Sequence, residues 1–145
     1  MRILLDNAIL VRASSTKRGL ARDLLLQIVE SQHVLLISNE MLYELAKALR
    51  YPRLLALLGL SEQRVYDYIG FLREAAQVVP LSALFTAPVR DANDIIVMQT
   101  AIVGEADVLC TRDKDFFEKP AAEYLDKIGI AVLDDITLKH RLRSY

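Results

Sequence analysis

Short apolar runs rich in leucine and β-branched residues alternate along this chain with longer segments whose apolar positions recur at helical spacing. Runs of this length and composition are typical of buried β-strands. Strands that alternate with helices predict a parallel sheet joined by right-handed crossovers, and therefore an α/β fold. The predicted strands are Ile3–Leu5, Val34–Ile37, Val78–Val79, Val108–Cys110 and Ile130–Leu133.

The helical segments in the first half of the chain have identifiable starts and stops. An amphipathic stripe predicts a helix over about residues 15–30, with a serine or threonine available to cap it. Ser38 is the predicted N-cap of a second helix, which ends before Pro52 because the residue that precedes a proline disfavours the α region. Residues 54–76 then predict two further helices, which we interpret as a helical insertion.

In the second half, the segment Ile95–Val103 is apolar on nearly every side, so its periodicity does not separate a buried helix from a strand. We predict a helix because of its length, the capping residue types before it and Gly104 after it. A last helix is predicted over about residues 121–128, and residues 139–145 are predicted to form a short basic tail. We expect residues 1–145 to form one domain.

Composition narrows the class of protein. The chain has 145 residues, 53% of them hydrophobic, which is enough for one domain with a core covered on both faces of a sheet. No apolar run approaches the roughly 20 residues that span a bilayer, and one cysteine excludes an internal disulfide. We therefore expect a cytoplasmic protein without a membrane partner. The net charge of −1 leaves the partner open, because an acidic centre offsets basic patches in that sum.

Four acidic residues stand where a parallel sheet would bring them together. Asp6, Glu44, Asp94 and Asp113 each end an apolar strand-like run or lie early in the helix that follows one. The carboxyl ends of parallel strands meet in one crevice, so residues far apart in sequence meet there. Carboxylates packed together repel each other unless a divalent cation lies among them, and Mg²⁺ or Mn²⁺ prefers oxygen ligands. This pattern predicts a metal site.

Each acid also has a structural explanation. An isolated aspartate such as Asp6 is more often a turn or cap residue, although Asn7 beside it is the better turn former and would leave Asp6 free. Asp91 or Asn93 can cap the apolar helix while Asp94 faces the crevice.

Glu44, taken alone, would be a solvated side chain paired with Lys47. However, Glu40 lies one turn earlier, and like charges at this spacing cost a few tenths of a kcal/mol unless a cation compensates them. Nucleophilic catalysis has little support, because Cys110 lies in an apolar strand and neither histidine has the surroundings of a triad. With five glycines in the chain, no phosphate-binding loop is present.

In order and spacing, four motifs of this chain resemble those of the PIN-domain nucleases, in particular the toxins of toxin–antitoxin pairs. Each motif alone is short and common, but four in the right order, each in its predicted structural setting, make a specific signal. The resemblance covers about residues 2–135. The motifs are Leu4-Leu5-Asp6, the stretch from Ser38 through Glu44 to Arg53, Asp91-Ala92-Asn93-Asp94 before an apolar helix, and Thr111-Arg112-Asp113-Lys114-Asp115-Phe116.

The resemblance implies a three-layer α/β fold, with a parallel sheet of four or five strands flanked by helices, and a Mg²⁺- or Mn²⁺-dependent ribonuclease site. It implies catalytic roles for Asp6, Glu44, Asp94 and Asp113, with the three aspartates as metal ligands. Outer-shell roles fall to Asn7, Asp91, Thr111 and Asp115. The family often has an asparagine two residues after the first-strand aspartate, whereas Ala8 stands there in this chain, so either Asn7 reaches round or the site is weaker.

Single-stranded or looped RNA is the substrate that the resemblance implies. Basic residues near the predicted acids would bind backbone phosphates, although a solvated surface explains each of them singly nearly as well. These residues are Arg12, Arg50, Arg53, Arg112 and Lys114. The implied function is an endoribonuclease toxin restrained by a cognate antitoxin protein, with a homodimer as a further assembly. The alternative is a PIN-like module that has lost efficient catalysis and acts through RNA or protein association.

Overall fold

The computed structural model of the chain describes residues 1–82 and 91–144 and contains a parallel five-stranded sheet flanked by helices. Every pair of neighbouring strands is parallel, and their order across the sheet is β3-β2-β1-β4-β5. This confirms the predicted α/β fold class. The strands are β1 (Arg2–Leu5), β2 (Val34–Ile37), β3 (Gln77–Val78), β4 (Val108–Cys110) and β5 (Ala131–Leu133).

The core lies on both faces of this sheet. Ile3, Leu4 and Leu5 follow one another in the central strand β1, and none of them is exposed to solvent. Successive strand residues point to opposite faces, so both faces must be covered, which is why the strands read as continuous apolar runs. In the described residues, no helix combines the length and the apolar character needed to cross a bilayer.

Most helices begin where a short polar side chain accepts a hydrogen bond from the first helical turn. The helices are α1 (Asn7–Ala13), α2 (Leu20–Val29), α3 (Asn39–Leu49), α4 (Pro52–Leu58), α5 (Glu62–Ala75), α6 (Ala92–Val103), α7 (Ala121–Lys127) and α8 (Asp135–Leu142). Side chains that cap a helix in this way are Asp6, Ser38, Ser61, Asp91 and Asp134. The apolar segment before Gly104 is helical, as predicted.

The first crossover differs from the prediction of one helix over residues 15–30. Two helices occupy it, because Asp6 caps α1 directly after β1 and α1 ends at its C-cap, Ser14. The second helix, α2, then begins at Leu20. No serine or threonine caps it, because its N-cap is Gly19, which offers no side-chain hydrogen bond.

Two other boundaries also differ from the sequence prediction. The helical insertion begins at Pro52, because proline is favoured in the first helical turn, and α4 ends at Gly59 in the left-handed conformation. The first part of the predicted basic tail instead forms the second half of α8, because Leu138 is buried at helical spacing before a second buried leucine. Tyr145, the last residue of that predicted tail, lies outside the described residues.

The strand order places a crevice at one edge of the sheet. The strands before and after β3 are added on opposite sides of β1, which pairs with β2 on one side and with β4 on the other. A crevice forms outside the carboxyl ends of the strands at such a switch point. Leu5 pairs in register with Cys110, and the backbone N–H of Asp6 donates to the Cys110 carbonyl oxygen at 3.0 Å. The residues that follow β1 and β4 therefore lie side by side.

Candidate metal centre

An acidic cleft of about 810 Å³ opens at this edge of the sheet. All four acids predicted as catalytic line it, and so do the two predicted as outer ligands. Its lining comprises Asp6, Asn7, Ala8, Glu44, Lys47, Ala48, Tyr51, Asp91, Asn93, Asp94, Val97, Arg112, Asp113 and Asp115. The tertiary structure therefore brings together acids from β1, α3, α6 and the turn after β4.

Three of these acids form a tight group. One carboxylate oxygen from each of Asp94, Asp113 and Asp115 lies within 4.8 Å of the other two. Asp94 lies in the first turn of α6, and Asp113 caps the 3₁₀ turn Lys114–Phe116, accepting a hydrogen bond from the Asp115 backbone N–H at 3.0 Å. A cation with metal–oxygen distances of about 2.0–2.6 Å would bridge oxygens at this spacing.

Electrostatics within the group oppose ionisation of Asp94. Partial burial, followed by repulsion from Asp113, Asp91 and Asp115, raises the pKa of Asp94 from 3.8 to about 6. Near neutral pH the group therefore carries negative charges that repel one another. A divalent cation would remove this repulsion, so the donor set fits a hard metal ion.

Asp6 lies in the same cleft but outside the tight group of the described residues. Its Oδ1 accepts a hydrogen bond from the Ile9 backbone N–H at 2.9 Å, so Asp6 caps α1 and is not the free residue that the sequence predicted. Its Oδ2 accepts a hydrogen bond from the Thr111 hydroxyl. Burial raises the pKa of Asp6, and these two hydrogen bonds partly oppose that effect.

Thr111 connects the two sides of the cleft. Its buried hydroxyl donates to Asp6 and accepts a hydrogen bond from the Asp113 backbone N–H at 3.0 Å. One hydroxyl therefore ties the residue after β1 to the turn after β4 that carries two acids of the tight group. This contact fixes the position of the turn relative to the sheet.

Asn7 supplies an unsatisfied oxygen to the cleft. Its Nδ2 lies 3.4 Å from the Met41 carbonyl oxygen, while its buried Oδ1 has no hydrogen-bond partner among the residues that the structure describes. A buried acceptor without a donor costs about 1–3 kcal/mol. A cation, or a water molecule bound to one, would satisfy it, which is a second observation in favour of a metal at this cleft.

The remaining predicted acids are placed as follows. Asp91 caps α6 by accepting hydrogen bonds from the Asn93 and Asp94 backbone N–H groups at 2.8 and 3.3 Å, which leaves the Asp94 carboxylate to the cleft. Glu44 is half-buried on α3. Its suggested ion pair with Lys47 is not among the ion pairs of residues 1–82 and 91–144.

Of the five basic residues predicted to bind RNA, Arg112 lines the cleft, whereas the described lining does not include the other four. Arg50 forms an ion pair with Glu62 at 3.1 Å and donates to the Ala46 carbonyl oxygen at 3.0 Å, so its charge is partly compensated. Arg53 and Lys114 are exposed.

The sequence did not predict the acidic partner that Arg12 and Arg112 share, which is Asp135. The carboxylate of Asp135 is buried and pairs with both Arg112 and Arg12. Its signal was the Asp134-Asp135 pair ahead of two leucines at helical spacing, which is the start of a capped amphipathic helix. The sequence prediction assigned no helix to Asp134 and Asp135 and therefore did not include it.

Comparisons with known proteins agree with this arrangement. One chain of a crystal structure described as VapBC2 from Rickettsia felis bound to a DNA fragment from their promoter has a similar fold, with a TM-score of 0.62 and 15% identity. The match covers 92% of this chain and 98% of that chain. No curated protein matches the sequence. The sequence model of the PIN domain matches residues 2–115, a span that contains every acid of the cleft. The chain therefore belongs to the PIN-domain family.

Proposed function

We propose that this chain is a Mg²⁺- or Mn²⁺-dependent endoribonuclease that cleaves single-stranded or looped RNA, and that it acts as the toxin of a toxin–antitoxin pair. The observation that carries the proposal is the group of Asp94, Asp113 and Asp115, whose carboxylate oxygens lie within 4.8 Å of one another. Membership of the PIN-domain family supports the same chemistry.

Asp94, Asp113 and Asp115 would hold the metal, with Asp6 and Glu44 facing the same cleft. When bound, Mg²⁺ or Mn²⁺ supplies Lewis-acid stabilisation of the phosphodiester and lowers the pKa of a bound water. The residues of the chain position the acids through the capping and hydroxyl contacts described above. We expect products with 5′-phosphate and 3′-hydroxyl ends.

Two features of the cleft support an unpaired RNA strand as the substrate. Arg112 and Lys47 place cations beside the acids, where they would contact backbone phosphates. Tyr51 lines the cleft and is 57% exposed, so its ring is available to stack on an unpaired base.

The partner proteins belong to the proposal as well. The structural neighbour comes from a complex bound to its own promoter DNA, which supports a cognate antitoxin that binds DNA. Leu57 and Tyr66, on α4 and α5, are 69% and 71% exposed. Large apolar side chains at the surface are typical of protein interfaces, so we place a homodimer contact there.

A cleavage assay tests the catalytic proposal. Fluorescently labelled single-stranded RNA is incubated with the protein and Mn²⁺, with and without a chelator. We expect cleavage that needs the metal, that is lost in Asp94→Asn, and that persists in Asp67→Asn, which removes the same charge from the exposed face of α5. Cleavage that persists in chelator, or in Asp94→Asn, would contradict the assignment. Metal-independent RNA binding without any cleavage would favour the binding-module alternative.

The toxin proposal has a separate test in a bacterial host. Expression of the chain should arrest growth, and expression of Asp94→Asn should not. Co-expression of the product of the neighbouring open reading frame should relieve the arrest and retain the chain on an affinity column. Normal growth with the active wild-type chain would contradict the toxin role while leaving the nuclease assignment intact.

A further inference from the structure

A buried carboxylate outside the cleft lining contacts one of the residues that line the acidic cleft, Arg112. Asp135, in the first turn of α8, is 1% exposed. Its Oδ1 accepts a hydrogen bond from Arg112 Nε at 2.7 Å, and its Oδ2 lies 3.8 Å from Arg12 Nη2. A buried charge without partners is strongly unfavourable, so these two guanidinium groups compensate it.

The choice of partner by Arg112 is informative. Arg112 lines the cleft and precedes Asp113 in sequence, yet among the described residues its ion pair is with Asp135 and with none of the three clustered acids. The contact uses Nε, and the two Nη groups donate to no residue of the described part of the chain. The Arg112 side chain is 49% exposed and lines the cleft, so a ligand in the cleft can reach it. Such a fork of N–H groups matches a phosphate group.

Resting on the proposed ribonuclease function, we propose that Asp135 is a positioning residue that holds Arg112 at the cleft rim to receive a backbone phosphate of RNA. Without Asp135, the flexible Arg112 side chain would form ion pairs with the three clustered carboxylates. It would then no longer face the substrate. Arg12, near the other oxygen of Asp135, adds a second positive charge that stabilises the buried carboxylate.

Two physical effects predict opposite results for Asp135→Asn. Removal of a negative charge near bound RNA strengthens binding if only the general field matters. Loss of the anchor weakens binding if Asp135 acts by positioning Arg112. Asp134→Asn is a matched control, because it removes a charge at the preceding residue, retains a side chain that caps α8, and belongs to no ion pair within the described ranges.

The experiment measures binding of a fluorescein-labelled single-stranded RNA by anisotropy, in chelator, so that cleavage does not contribute. We expect Asp135→Asn and Arg112→Ala each to weaken binding on the order of 10-fold, the scale of one charge-assisted hydrogen bond. The double variant with both Asp135→Asn and Arg112→Ala should bind RNA no more weakly than Arg112→Ala alone. Arg112→Ala should reduce the slope of log affinity against log salt concentration by about the value of one phosphate contact. Asp134→Asn should bind as tightly as wild type or slightly more tightly.

Equal or tighter binding by Asp135→Asn overturns the proposal. An equal additional loss in the Arg112→Ala background also overturns it, because Asp135 would then act on the fold as a whole. If circular dichroism shows that Asp135→Asn does not fold, Arg112→Lys is used in its place. This variant keeps the positive charge but lacks the forked N–H groups of the guanidinium. Wild-type RNA affinity in Arg112→Lys would contradict the proposal that Asp135 positions Arg112. Wild-type binding without cleavage in Mn²⁺ contradicts the nuclease function alone.

Discussion

Replacing Asp94 by Asn should stabilise the metal-free protein near pH 7. Folding raises the pKa of this carboxyl from 3.8 to about 6, chiefly through burial and then through repulsion by Asp113, Asp91 and Asp115. That difference corresponds to about 3 kcal/mol at full weight. Solvent screening of a half-buried side chain reduces it to about 1–2 kcal/mol. The variant also loses a favourable interaction between the carboxylate and the N-terminus of α6, which reduces the expected gain in stability by about 0.5 kcal/mol.

A net gain of about 1 kcal/mol should raise the melting temperature by about 2–4 °C in a domain of this size. The gain should depend on pH with a definite sign. Because the folded pKa of Asp94 is about 6 and the ordinary value is 3.8, the folded state binds more protons between these values. The contribution of Asp94 to wild-type stability therefore falls as pH rises from about 4 to about 6, and the advantage of the Asn variant grows over the same window.

The assay is thermal unfolding followed by circular dichroism in chelator at pH 4, 5.5 and 7. Asp67→Asn is the control, because it removes an exposed carboxylate outside the cleft lining of the described residues. A second series adds Mn²⁺, which stabilises a native state that binds it by RT ln(1 + [Mn²⁺]/Kd). The wild type should gain more from Mn²⁺ than Asp94→Asn does.

An Asp94→Asn variant that melts at or below the wild-type temperature in chelator at pH 7 would contradict the destabilising effect of the Asp94 charge. A difference of the same size at pH 4 and pH 7 would also refute it, because the effect would not then arise from ionisation. Equal stabilisation of both proteins by Mn²⁺ would remove Asp94 from the metal site.

Substitutions at four further positions test other parts of the structure. Thr111→Val should lower the free energy of unfolding, measured in urea, by about 1–3 kcal/mol, because buried Asp6 loses a hydrogen-bond donor. Thr111→Ser keeps a hydroxyl and should lower it by less. Equal losses in the two variants would contradict the role of the hydroxyl. Gly104→Ala should cost about 1–3 kcal/mol, since its Cβ would lie 2.8 Å from a backbone oxygen and 2.9 Å from a valine methyl. Gly70→Ala, with no atom within 4 Å, should instead stabilise α5 by about 0.5–1 kcal/mol. Leu57→Glu should keep its stability within about 0.5 kcal/mol but reduce self-association measured by sedimentation, and a monomeric wild type would contradict the dimer contact.

The sequence alone predicted the sheet and the gathering of the acids at one edge of it, because both follow from local rules. Strands covered on both faces need continuous apolar runs, and these stand out at Ile3–Leu5 and Val108–Cys110. Because the strands are parallel, the residues that follow them all lie at the edge of the sheet formed by the carboxyl ends of the strands. Acids that follow such runs within three residues, as Asp6 and Asp113 do, were therefore expected in one cleft, and both line it in the structure.

The tertiary structure decided which groups surround each acid and each cation. Asp6 and Asp115 have similar sequence settings, but the turn after β4 aims Asp115 at Asp94, while Asp6 is occupied by a helix N-terminus and by Thr111. These assignments depend on which donors surround each carboxylate. Local patterns do not specify donors that come from distant segments of the chain.

The pairing of Asp135 with Arg112 and Arg12 has the same origin. The three residues come from α8, from the turn after β4 and from α1, and only the packing of these elements brings them into contact. Burial of Asp135 turns an ordinary helix-start residue into an anchor for two cations, because an ion removed from water requires an opposite charge nearby. Local sequence determines where a charge lies along an element, whereas tertiary packing determines whether water or another charge solvates it.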